Sequence, residues 1–380
     1  MSEVKENVET SGVNGPVEET AALLKEQTEC RASSESCCGS KKKESPPRFL
    51  TGKFIDSPVG KIPVISTEYT WRDMLGAWKV RWGIKRMDYR TEPGLYAIGR
   101  PDEKAPLFVS ANYKLSFDRL RCSLAGIDAW ILVLDTDGVN VWCAAGKGTF
   151  STQNLMRSVA RLRLNRLVAH ETLIVPQLGA SGVSGHEVRS RTGFQVVFGP
   201  VRASDIPAFL KSGMKATPEM RHVRFDLPDR AAVVPVDLMQ AMGGTIKVLG
   251  VLFLLNILRL GDFTPGNVTP YLLSVLAGTV LVPMILPFLP FRSFALKGAV
   301  VGLVLALLSY TVFRDGVSWR EAAAGFLLLP SVSSWFALNF TGSTTFTSPS
   351  GVNRELKAAL PLYALAVTVS AVILISEVFM

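Results

Sequence analysis

Apolar residues between Phe49 and Val236 come in short runs closed by glycine, proline or charge, whereas from Met239 onward they come in long ones. The short runs predict strands at Ile62–Ile65, Leu95–Ile98, Leu107–Val109, Ala129–Leu134, Thr172–Val175 and Phe194–Phe198. Helical spacing falls between several of them, at Ser116–Ala125, Ser151–Val168 and Ala203–Lys211. Ser151 is a good helix N-cap, and Leu155, Val159 and Leu162 mark a one-sided face behind it. Strands alternating with helices predict an α/β domain with a mainly parallel sheet. The tryptophans Trp71, Trp78, Trp82 and Trp130 are expected to pack in the core or at a sheet edge.

The long runs are Met239–Leu260, Val268–Leu289, Phe294–Phe313, Trp319–Phe340 and Ala358–Phe379. Each has the length that a helix needs to cross a hydrocarbon layer about 30 Å thick. Pro283, Pro287 and Pro330 predict kinks. Arg221, Arg224, Arg230, Arg292, Lys297, Arg354 and Lys357 flank one side, against Arg259, Arg314 and Arg320 on the other. That bias predicts a multi-pass protein of the cytoplasmic membrane, with its N-terminus and α/β domain inside. Ionisable groups at depth are few, so an anchor or docking platform is expected rather than a transport pathway. The hydroxyl-rich connection Thr341–Val352 falls on the inside and is expected to face the α/β domain or a partner, with the last helix starting near Asn353 and Glu355.

Composition sharpens this division. Of 380 residues, 48% are hydrophobic, and the mean hydropathy of +0.26 exceeds that of an ordinary soluble chain. The net charge of +9 is spread along the α/β half and the membrane-flanking loops, with no nucleic-acid-binding signature. The five cysteines (Cys30, Cys37, Cys38, Cys122, Cys143) form neither a zinc spacing nor a disulfide framework, a reduced, cytosolic usage. Residues 1–48 read as a polar, disordered leader with no signal-peptide core. The vicinal pair Cys37-Cys38 within it reads chiefly as incidental, with capture of a soft cation as the sharper alternative.

The chemistry concentrates in Ile131–Phe150, ILVLDTDGVNVWCAAGKGTF. A buried strand breaks at the Asp135-Thr-Asp-Gly138 turn, and Cys143 follows at a loop-to-helix corner. Ligands of open α/β sheets collect at such corners, beyond the carboxyl ends of strands. A helix start and Lys147, about one turn on, both favour thiolate, the metal-ligating form. From the residues alone, a small core cysteine and a reactive thiolate stand level.

Asn140-Val-Trp-Cys-Ala-Ala-Gly-Lys147 resembles, without a gap, the cap-helix motif of the corrinoid protein of microbial mercury methylation. Val109–Phe117, Pro176–Ala180 and Phe198–Pro207 are similar to the corrinoid domain of the corrinoid iron–sulfur protein of the acetyl-CoA pathway. The resemblance implies a Rossmann-like corrinoid-binding domain over residues 49–236, followed by a five-helix transmembrane α-bundle over residues 239–380. It implies that Cys143 is the lower axial ligand to the cobalt of a base-off, cobalamin-type corrinoid. Asn140, Val141, Trp142, Ala144, Ala145, Gly146 and Lys147 would surround that ligand, with Asn140 bonding the thiolate or capping the helix. Gln177, Gly179 and the Ser181-Gly182 pair would hold the cofactor's nucleotide tail. His170, His186 and His222 lack the context of a lower-ligand histidine and are expected at the surface or satisfied in the core.

The activity so implied is corrinoid-dependent methyl transfer to Hg(II), giving methylmercury. Its implied partners are a dicluster [4Fe-4S] ferredoxin-like reductant and a methyltetrahydrofolate-linked methyltransferase as methyl donor. Two other readings stay open: a corrinoid methyl carrier of acetyl-CoA-pathway type, and a membrane receptor or permease with a soluble sensing domain.

Overall fold

The computed structural model describes residues 47–261, 263–313, 317–340 and 349–378. The leader with Cys30, Cys37 and Cys38, and most of the Thr341–Val352 connection, lie outside the described residues. From Phe49 onward the chain is one compact unit. It comprises a mixed α/β sheet domain followed by five long apolar helices.

Seven strands form one sheet in the order β1-β2-β3-β5-β4-β6-β7. They are β1 (Leu50–Ser57), β2 (Gly60–Ile65), β3 (Gly94–Ile98), β4 (Leu107–Ala111), β5 (Ala129–Leu134), β6 (Thr172–Val175) and β7 (Gln195–Phe198). The strand pairs β2/β3, β4/β5, β4/β6 and β6/β7 are parallel, while β1/β2 and β3/β5 are antiparallel. Every residue of β4 and β5 is buried, as expected where helices cover both faces of a sheet. Alternate residues divide between two cores: Leu107, Val109, Leu132 and Leu134 face one side, and Phe108, Ile131 and Val133 face the other.

On the first face lie α3 (Val141–Lys147) and α4 (Thr152–Arg161). The second carries α2 (Lys114–Ser123) and α6 (Ile206–Lys211). The remaining helices of this half are α1 (Trp71–Arg81), α5 (Gly185–Thr192) and α7 (Pro218–Arg221). The expected helix Ser151–Val168 stops at Arg161, because Arg163 takes a left-handed φ of 51° before a short 3₁₀ turn. β1 was not foreseen; its polar residues belong to a hairpin at the sheet edge. Trp71 and Trp78 correct the expectation of core packing, since both stand exposed on α1, whereas Trp130 is buried in β5.

The long helices are α8 (Leu227–Ile257), α9 (Pro265–Met284), α10 (Phe294–Phe313), α11 (Trp319–Asn339) and α12 (Pro349–Val378). All five are long and apolar enough to cross a membrane. α8 begins at Leu227, well ahead of the expected Met239, and α9 ends at Met284 behind a π-helical turn, Ala277–Leu281. α11 runs through Pro330 as continuous helix, and α12 starts at Pro349 rather than near Asn353. The glycines Gly298 and Gly302 let α10 lie directly on α11: a Cβ on either would come within 2.7 Å of Ser334 or Pro330 backbone.

Arg230, Asp237 and Lys297 are buried; the first two lie in the part of α8 that precedes Met239, and Lys297 lies in the first turn of α10. Arg230 Nη1 donates to Phe225 O, and Lys297 Nζ donates to Leu286 O at 3.1 Å while lying over the Phe294 ring. Glu355 accepts from the Phe294 and Ala295 backbone N–H groups, tying the start of α12 to that of α10. The two halves meet where Arg202 pairs with Asp229 in the first turn of α8.

Candidate functional site

The carboxyl ends of β4 and β5 fix the site. Asn112, just beyond β4 and nearly fully buried, is its hub. Its Nδ2 donates to Asp135 Oδ1 at 2.9 Å. Its Oδ1 accepts from Thr136 N, Thr136 Oγ1 and Gly138 N at 2.8–3.1 Å. Asn154 braces the same turn from α4, donating to Asp135 O and Thr149 O at 2.7 Å. The Asp135–Gly138 loop is therefore held as a rigid platform, and α3 leaves from its end.

Asn140 resolves its two expected roles in favour of capping: its side-chain oxygen accepts from Cys143 N at 2.8 Å. Gly148, left-handed at φ 80°, closes the C-terminal end. Between these caps the helix has two faces. Val141, Ala144 and Ala145 are buried against the sheet domain, so these three expected cofactor contacts sit on the core side. Trp142, Cys143, Gly146 and Lys147 are exposed on the other face.

The loop after β6 packs against α3. A Cβ on Gly179 would lie 2.5 Å from the Phe150 ring, and one on Gly182 would lie 2.2 Å from Phe150 O and 3.0 Å from Ala145 Cα. Both glycines serve this close approach, which brings Gln177 beside the motif. Arg221 of α7 donates to Gln177 Oε1 at 3.1 Å. On the other flank, Met87 O and Arg90 approach Gly138. Burial pushes the Tyr113 phenol up, and the Arg86 and Arg81 charges oppose this.

The histidines lie elsewhere. His170 is engaged by Ala105 O and Thr172 N, His186 is exposed on α5, and His222 Nδ1 meets Pro218 O. A cleft of about 400 Å³, lined by Asp102, Glu103, Trp130 and Arg166 among others, sits at the opposite, amino-terminal edge of β4–β6.

Among the described residues, no group of three His, Cys, Asp or Glu side chains is placed to chelate a metal. The Cys143 thiol, likewise, has no hydrogen-bond partner among them. A single outward thiol suits a metal that arrives with its other ligands in a macrocycle, as cobalt does in a corrinoid. Gly146 adds to the fit: a Cβ there would meet nothing within 4 Å, leaving open space beside the thiol. The residues present therefore fit such a group. Asn112 and Asn154, which hold the platform, were not singled out from the sequence, although Asn112 follows a buried strand within the resembling segment Val109–Phe117.

Residues 82–210 match the family described as the CO dehydrogenase/acetyl-CoA synthase delta subunit. A third of the chain is similar to acetyl-CoA decarbonylase/synthase complex subunit gamma of Methanopyrus kandleri, at 34% identity over 33% of this chain and 27% of that protein. The Methanocaldococcus jannaschii subunit gamma is 30% identical over 33% of this chain and 26% of its own length. The corrinoid/iron-sulfur protein large subunit of Moorella thermoacetica is 29% identical over 33% of this chain and 28% of its own. The chain thus spans about a quarter of the length of the curated relatives it matches. What these matches establish is a relationship, through the α/β domain, to corrinoid proteins of acetyl-CoA metabolism.

Proposed function

We propose that this chain is a membrane-held, corrinoid-dependent methyltransferase that uses Cys143 as the lower axial ligand and Hg(II) as the methyl acceptor. The observation that carries the reading is the exposed Cys143 thiol on a rigidly mounted helix, with no chelating group around it among the described residues. When bound, a corrinoid would supply the metal centre for methyl transfer, and Cys143 would give that metal an anionic sulfur donor, which suits delivery of methyl to a soft electrophile.

The chain's own residues have distinct tasks. Asn140 caps α3 and holds the Cys143 backbone, so the sulfur is presented outward. Trp142, exposed on the same face, would shield a bound group from water, and the Lys147 ammonium would offset the thiolate charge. Asn112 and Asn154 keep the platform from yielding when a ligand pulls on Cys143. Gln177, held by Arg221, would bind the cofactor's nucleotide tail together with Gly179 and the Ser181-Gly182 pair. Val141, Ala144 and Ala145 serve the site by filling the core beneath it. Reducing equivalents come from a separate iron–sulfur partner, since the cysteine spacing provides for no cluster. The methyl donor is a methyltetrahydrofolate-linked methyltransferase. The five long helices fix the domain at the cytoplasmic membrane, α/β side inside.

A second reading, a corrinoid methyl carrier of acetyl-CoA-pathway type, has more direct support from the similarity over residues 82–210. The names of those relatives carry no reference to mercury. The exposed cysteine favours the first reading, because a strong anionic donor is what transfer to Hg(II) requires. Methyl-loaded full-length protein mixed with Hg(II) separates the two. The first reading expects methylmercury from the wild type and little from Cys143→Ala or Cys143→His. Equal, slow formation from all three favours the carrier.

A further inference from the structure

α1 carries an apolar stripe that nothing among the described residues covers. The helix is well defined: Thr70 and Asp73 form a capping box, and Asp73 is tied to Lys114 and Arg121 of α2 at 2.9 and 3.0 Å. Its inner face is Ala77 and Val80. At about 100° per residue, Trp71, Met74, Leu75 and Trp78 centre on the opposite side. Trp71 and Trp78 are 61% and 60% exposed and Met74 is 58%, values unusual for residues of this size on a folded domain. Ile84 and Met87, exposed on the loop that follows, extend the stripe.

Three further observations say what covers it. Basic residues border the stripe on both sides, Arg72 and Lys79 on one and Arg81 on the other, with Lys85 and Arg86 beyond. The Arg72 guanidinium lies 5.1 Å from the centre of the Trp71 ring, a cation–π arrangement that suits the water–lipid boundary. α1 also packs against α8, the first of the long apolar helices, and the Arg86 charge acts on Asp237 of α8.

We infer that α1 and the Ile84–Met87 turn form an interfacial membrane anchor, with the stripe seated in the acyl boundary and the flanking basic residues on anionic head groups. Tryptophan rings flanked by snorkelling cations are what such a layer accepts. The inference rests on the membrane reading of the five helices. Because α1 is tied to α2, which follows Asn112 and the platform turn it holds, the anchor would fix the site's orientation at the bilayer surface.

The test uses the full chain in vesicles of phosphatidylcholine and phosphatidylglycerol, comparing wild type with the double variant Trp71→Tyr/Trp78→Tyr. Subtracting the two emission spectra isolates the two tryptophans. The expected difference spectrum is blue-shifted, largely lost with brominated acyl chains, and protected from aqueous iodide. Arg72→Glu/Lys79→Glu should weaken the bromine quenching, more so at low salt. Quenching by iodide and not by bromine overturns the inference, and so does protection from both, which would mean a protein covers the stripe. A chain that fails to float with the vesicles overturns the membrane reading itself, so the two failures are told apart.

Discussion

At the scale of single residues, the site depends as much on Asn112 as on Cys143. Asn112 satisfies two buried backbone N–H groups and one hydroxyl of the platform turn. Truncation to Ala leaves the two N–H groups unpartnered, while the Thr136 hydroxyl keeps Val139 O, at about 3 kcal/mol in all. Asn112→Ala is therefore expected to lower the melting temperature by several degrees and to weaken corrinoid retention with Cys143 intact; thermal denaturation and cobalt content of the purified protein check both. Asn140→Ala removes only a cap, worth about 1 kcal/mol, and should give a smaller loss of stability. The motif around Cys143 was legible in the sequence because its residues are contiguous. The Asn112 hub was not, because its partners lie more than twenty positions away and one asparagine carries no periodicity.

At the scale of elements, strands β5 and β6 were readable residue for residue, since both are buried apolar runs bounded by turns. α1 was not foreseen, although Thr70-Trp-Arg-Asp73 spells a capping box, because its tryptophans read as core. Their exposure reflects a tertiary choice: the buried side of the helix takes the small residues Ala77 and Val80 instead. The link between α1 and α2 predicts a pH dependence. Burial opposes ionisation of Asp73, yet hydrogen bonds from Lys114 and Thr70 outweigh it and hold the carboxyl at about 2. A depressed carboxylate stabilises the fold fully above its ordinary value of about 4, and that contribution fades as pH falls through about 2. Acid titration should therefore loosen α1, seen as rising amide exchange over Trp71–Arg81. In Asp73→Asn the α1–α2 contact should be weaker at neutral pH, and the acid dependence of this segment flatter.

At the scale of the whole molecule, the hydropathy pattern revealed the number of long helices, while their ends were set by contacts that it does not record. α8 begins early because Asp226 and Pro228 start a helix in polar sequence, and Arg202 holds its first turn to the α/β domain. The bundle is proposed to act as a scaffold that keeps the domain and its reductant at one surface, raising effective concentration without adding contacts to the site. Cutting the tie with Arg202→Ala should leave a single methyl transfer unchanged while slowing multiple turnover, and excess chemical reductant should restore the rate. A single-turnover loss of the same size would instead assign the bundle a part in the chemistry.

The central claim is that the Cys143 sulfur is the lower ligand of a bound corrinoid. The visible absorption spectrum of the oxidised cofactor on the full chain, wild type against Cys143→Ala at matched cobalt loading, tests it most directly. The account predicts a thiolate-ligated spectrum for the wild type and a distinct one, with water or nothing below the metal, for the variant. Identical spectra would contradict it.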